Sequence, residues 1–115
     1  MMTTEYLRGE VLLLLEWAQR VAPCCRGAEN AVTALSREAQ SGPVDDLSWV
    51  LERAVPIVEA WCWDSLAAGD AAVFRRRCQV AAALYDFGIC SNLLARRGAE
   101  SPGASSTIWR NGAWP

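Results

Sequence analysis

Between residues 45 and 67, apolar side chains recur at helical spacing on two sides of the same segment. One row is Leu47, Val50, Leu51, Ala54, Val58, Trp61 and Cys62, which is what a core-facing stripe requires. A second row, Trp49, Pro56, Ala60 and Trp63, follows at steps of seven, four and three residues down roughly the opposite side. Segment 4–22 repeats the pattern, with Tyr6, Leu13 and Trp17 behind a core row of Leu7, Val11, Leu14, Leu15 and Ala18. A compact bundle of helices needs one apolar face per helix. A second such face predicts that something outside the bundle covers it.

The remaining segments complete an all-α plan. Thr3 or Thr4 can cap the first helix, with Glu5 in its first turn, and Pro23 stops it after Ala22. The second helix starts around Pro23–Cys24 and carries a single stripe of Ala28, Ala31, Val32, Leu35 and Ala39. Its other side (Glu29, Asn30, Thr33, Ser36, Arg37, Gln40) is polar, so it belongs on the outside. The break at 41–43 precedes a third helix capped by Asp45 or Asp46, in which Pro56 removes one backbone bond and should kink the axis. Gly69 and Asp70 read as a helix stop followed by a cap.

The fourth helix is predicted over 71–97, with Val73, Phe74, Val80, Ala81, Leu84, Tyr85 and Gly88 facing the core and Gly98 ending it. Glycine inside a helix costs about 1 kcal/mol relative to alanine. Gly88 is therefore expected to permit a close helix approach or to make room for a ring beside Tyr85. No segment alternates in the manner of a strand. Short joints favour antiparallel neighbours, so the expected fold is a single-domain antiparallel four-helix bundle of two hairpins over residues 1–98. Residues 99–115 change character. The composition of GAESPGASS predicts a flexible linker, yet it leads to Ile108, Trp109 and Trp114, two tryptophans suited to anchoring on some surface.

Composition removes whole classes of function. The 115-residue chain has a formal charge of −2, and all 11 of its basic residues are arginine. That balance exerts no general pull on nucleic acid or acidic membranes. Arg75, Arg76 and Arg77 are consecutive and point in three directions on a helix, so they make no single basic patch. Arg77 falls near the core row, where a buried carboxylate or a ligand anion would be its natural partner. The arginine and alanine bias fits a high-GC bacterial genome. With no histidine, the commonest general base and metal ligand are missing, and serine–histidine or cysteine–histidine chemistry is excluded.

Cys24, Cys25, Cys62, Cys78 and Cys90 form no CxxC pair, and the last three fall in helical runs where free cysteine acts as a small buried hydrophobe. Free thiols favour a reducing, cytoplasmic setting. No apolar run approaches the ~20 residues that span a bilayer, and the N-terminus lacks the basic region of a signal peptide. No glycine-rich phosphate loop is present, and neither a cofactor nor a metal is expected.

Three functions of different class remain open. The first is an interaction or ligand-binding module, dimerising with itself or docking another protein, with Tyr6, Leu13, Trp17, Trp49, Ala60, Trp63, Trp109 and Trp114 as contact residues. The second is a small cofactor-free cyclase or isomerase acting on a hydrophobic metabolite. Glu59 or Asp86 would be its proton donor, Glu59 desolvated beside Trp63 one turn on. On wheel angles, however, both carboxylates fall on solvated faces: Glu59 with Glu52 and Ser48, Asp86 with Arg75, Gln79 and Arg97. The third is a recognition domain that presents residues 107–115 to a modifying enzyme or carrier.

Overall fold

Thr3 opens the first helix, its side-chain oxygen accepting the Tyr6 N–H at 3.1 Å. The structure is a computed structural model that describes residues 3–94. It is an all-α four-helix bundle: α1 (Thr4–Arg20), α2 (Arg26–Ser41), α3 (Asp46–Ala67) and α4 (Ala71–Cys90), with no strand among the described residues. α3 packs most extensively on α4 and also touches α1 and α2, while α1 packs on α2 and α4. Most residues of the core-facing rows meet as expected, while Ala31, Val73 and Tyr85 are only half-buried at the edge. Val11, Leu15, Leu47, Val50, Leu51, Val58, Phe74, Val80 and Leu84 are fully buried, and Trp61 lies among them. Pro56 sits inside one continuous α3.

Long side chains tie the joints together. Arg8, near the start of α1, reaches the carbonyls of Ala39, Gln40 and Gly42 at the end of α2, and Gln19 near the end of α1 donates to Thr33 at 2.8 Å. These bonds at both ends pair α1 and α2 as a helical hairpin would. Arg77 is buried, and its partners are backbone rather than the carboxylate or anion expected. Nε donates to the Val21 carbonyl at 2.7 Å and Nη1 to the Trp61 carbonyl at 2.9 Å. Val21 is the C-cap of α1, where the helix dipole is negative, so a cation there is stabilised without a carboxylate. One side chain of α4 thereby fastens the end of α1 to α3.

Three boundaries differ from the sequence expectation, and at a fourth the expected cap bond is missing. α1 ends at Arg20, and α2 begins only at Arg26, with Cys25 exposed at its N-cap position and Cys24 exposed in the joint before it. Asp45 occupies the N-cap position of α3, yet neither it nor Asp46 supplies a side-chain cap bond.

The largest difference is at α4, which stops at Cys90 instead of residue 97. Asn92 adopts the left-handed conformation (φ 62°), one that asparagine tolerates better than most residues. The turn brings the Leu94 N–H to the Gly88 carbonyl at 2.9 Å and lays the Leu94 side chain where a Cβ on residue 88 would stand. Gly88 thus makes room for Leu94, not for a neighbouring helix or a ring. Cys90, expected inside the helix and buried, ends it exposed. By contrast, Gly69 (φ 77°) and Asp70, whose carboxylate accepts the Val73 N–H at 3.1 Å, terminate α3 and cap α4 as read from the sequence.

Candidate functional site

Because the inner sides of α1 and α3 are taken up by the core, their second rows are left outside. On α3, Trp49 is 44% exposed, Trp63 47% and Leu66 41%, with Pro56 and Ala60 exposed between the two indoles. On α1, Tyr6 is 51% exposed, Leu13 60% and Trp17 38%. α1 and α3 also touch each other, and each carries its own exposed row.

Two contacts among the described residues touch the α3 row. The Arg53 guanidinium lies 4.6 Å from the centre of the Trp49 ring, a cation–π contact one helical turn away. Trp63 leans toward α4, its ring centre 6.5 Å from that of the buried Phe74. Between the two indoles the residues are small. Trp49 and Trp63 are 14 positions apart, about 21 Å along a helix, and Pro56 and Ala60 leave a low saddle between them. Pro56 also has no N–H to give the Glu52 carbonyl, so that acceptor loses its usual helical donor. Leu66, three residues beyond Trp63, extends the row; the same helical spacing that identified Trp63 reaches it.

Glu59 and Asp86 are half-buried, on α3 and α4 respectively. Glu59 stands near enough to Cys62 to raise that thiol's pKa further, although burial is the principal cause. Two surface hollows are lined by other residues. One of about 280 Å³ lies at the α3–α4 joint against Pro23, Asp64, Ser65, Asp70 and Arg77. One of about 300 Å³ is lined by Glu38, Asp46 and Trp49.

The second hollow contains a pair that the sequence reading missed. Glu38 hydrogen-bonds Asp46 across the α2–α3 joint, and this bond, ahead of burial and the neighbouring charge, pushes the Glu38 carboxyl above the ordinary range. Gly42 permits the approach, since a Cβ there would lie 2.5 Å from Glu38 Oε2 and 2.9 Å from Asp46 Oδ2. The two acids are eight residues apart and belong to different elements, so no single-helix period could link them.

Cys62 and Cys78 are buried together between α3 and α4. Burial pushes the Cys78 thiol to about 11 and Cys62 higher still, so both stay protonated and unreactive at neutral pH. Among the described residues no group of three or more Cys, Asp or Glu could hold a metal, and no helix is long and apolar enough to cross a membrane. Trp109 and Trp114, together with the tail of residues 99–115, lie outside the described residues. No family model, curated protein or solved structure matches this chain.

Proposed function

We propose that the chain is a helical interaction module that pairs with a second copy of itself through the outer face of α3. One observation carries the reading: two indoles and a leucine, each about half exposed, aligned on the side of a helix whose other side is fully committed to the core. Tryptophan contributes a large apolar area and one N–H donor, the combination that dominates binding at protein interfaces. α1 offers a smaller row with a single indole, so α3 is the stronger candidate. The five cysteines are all free thiols, in keeping with a reducing compartment such as the cytoplasm.

The size of the surface sets the strength of the association. A 22-residue helix is about 33 Å long and about 10 Å wide, giving a face of roughly 330 Å². A standard stable interface takes about 800 Å² from each partner. Pairing through α3 alone is therefore weak and dependent on concentration. Light scattering over a concentration series should show the mass climbing from one chain toward two, while Trp49→Arg stays at one chain throughout. Trp49 is the cleaner position because Trp63 also covers Phe74. A mass that climbs equally in both proteins, or in neither, sinks the proposal.

A further inference from the structure

We infer that the resident occupant of the α3 outer face is the chain's own C-terminal segment, Ile108–Trp114, docked within the same molecule, so that a second copy must displace it. This rests on the reading of α3 as a binding face and adds its regulation. Three observations converge on it. The first is where the described chain ends. The left-handed turn at Asn92 folds Leu94 back over Gly88, so the last described residue lies against the final turns of α4, and α3 is the helix that α4 packs on most.

The second is reach. Trp109 lies 15 residues after Leu94, and a Gly/Ser-rich chain of that length has a typical end-to-end distance of about 20 Å. That covers most of the length of α3. Tethering over such a distance presents the segment at an effective concentration in the millimolar range. A second copy at micromolar concentration competes against that, and the tether wins unless the two affinities differ by orders of magnitude.

The third is fit. Trp109 and Trp114 are five residues apart, about 17 Å in extended chain, and the saddle over Pro56 and Ala60 between Trp49 and Trp63 is about 21 Å long. Two indoles seated there would bury the exposed edge of Trp49. An indole N–H is also the kind of donor that the Glu52 carbonyl, deprived of its helical partner by Pro56, can accept. The α1 row has no such interruption.

The test follows the Trp109 indole N–H by NMR in the full chain, assigned by Trp109→Phe, against a synthetic peptide of residues 95–115. An intrinsic affinity near 100 μM at millimolar effective concentration gives a docked-to-free ratio of about ten. Exchange of that N–H with solvent should then be about tenfold slower than in the peptide and unaltered by tenfold dilution. The slowing should vanish in Ala60→Arg and weaken in Trp49→Ala, both exposed positions where circular dichroism can confirm the fold. Exchange at the peptide's rate overturns the inference. So does slowing that disappears on dilution, which would assign the segment to another molecule, or slowing that survives Ala60→Arg and is lost in Leu13→Arg.

A separate readout distinguishes this inference from the pairing proposal. In Trp109→Ala/Trp114→Ala the mass should begin to climb at about tenfold lower protein concentration. If the indole is protected but this double variant never associates, the tail docks and the second copy is the wrong partner. If the double variant associates at the same concentration as the wild type, the tail is no competitor and the inference is overturned.

Discussion

α2 and α3 each bury one face against the core, α3 the larger one, and they differ in what they turn outward. α2 buries Ala28, Val32, Leu35 and Ala39 and shows Glu29, Asn30, Arg37 and Gln40 outside. α3 buries nine residues along its inner side and shows Trp49, Pro56, Ala60, Trp63 and Leu66 outside. Folding explains the whole of α2, because one apolar stripe against a core with polar residues in water is a complete account. It explains only half of α3. An exposed leucine is ordinary on a protein surface, but two indoles and a leucine in register on one helix face are a patch, and patches mark contacts. A helix on the outside of a bundle with nothing to bind looks like α2. The contrast isolates the part of α3 that stability does not require.

The largest effect to expect comes from the inner faces, where the two helices should behave alike. Leu35→Ala and Leu51→Ala each remove a buried side chain and should cost about 3 kcal/mol, read from the urea midpoint at constant slope. Trp49→Ala deletes a larger side chain from the outer face, yet it should cost less than about 1 kcal/mol in dilute protein, chiefly through the lost contact with Arg53. If Trp49→Ala proves as damaging as Leu51→Ala, the outer row of α3 is structural and the comparison with α2 collapses.

A middle-sized effect concerns the end of α4. Alanine at residue 88 gains about 1 kcal/mol of helix propensity but drives its Cβ into Leu94, an overpacking penalty of about 1–3 kcal/mol. Gly88→Ala should therefore lower stability by about 1 kcal/mol in thermal or urea unfolding. In a Leu94→Ala background the obstruction is gone, and the same substitution should raise stability instead. A stabilising Gly88→Ala in the wild type would mean that Leu94 does not fold back.

How much of this could be read from the residues depends on the range of the interaction. The helices, the buried identities along them and both outer rows follow from periods of three and four, which are local. Thr3, Gly69 and Asp70 are legible for the same reason: caps are short-range chemistry. The end of α4 was not, because apolar and arginine residues continue past Cys90 with a plausible helical rhythm. What ends the helix is a left-handed asparagine, rewarded by a tertiary contact between Leu94 and Gly88.

Arg77 was legible as buried but not in its partnership, since a carbonyl at the end of α1 carries no sequence signature. The outer row of α3 was legible residue by residue. Its saddle emerges only when the small residues Pro56 and Ala60 are placed between the two indoles.

The smallest effect lies where α2 meets α3, at the Glu38–Asp46 pair. A carboxyl whose pKa is higher in the folded chain than in the unfolded one binds its proton more tightly when folded. Its contribution to stability is therefore present at pH values below the ordinary carboxylate range and is lost as pH rises through the folded value. At neutral pH the two acids are left facing each other across Gly42 as like charges.

Glu38→Gln keeps a donor for Asp46 and removes one charge. It should move the urea midpoint upward at pH 7, with the gain shrinking as pH falls and the raised Glu38 carboxyl of the wild type takes up its proton. Both side chains are close to solvent, so the shift should also fade in high salt. The pair borders the hollow beside Trp49, which gives the measurement a second use. If Glu38→Gln also changes the concentration at which the chain pairs, the α3 face extends across the joint onto α2. If only stability moves, the binding face ends at Trp49 and the division between the two helices stands.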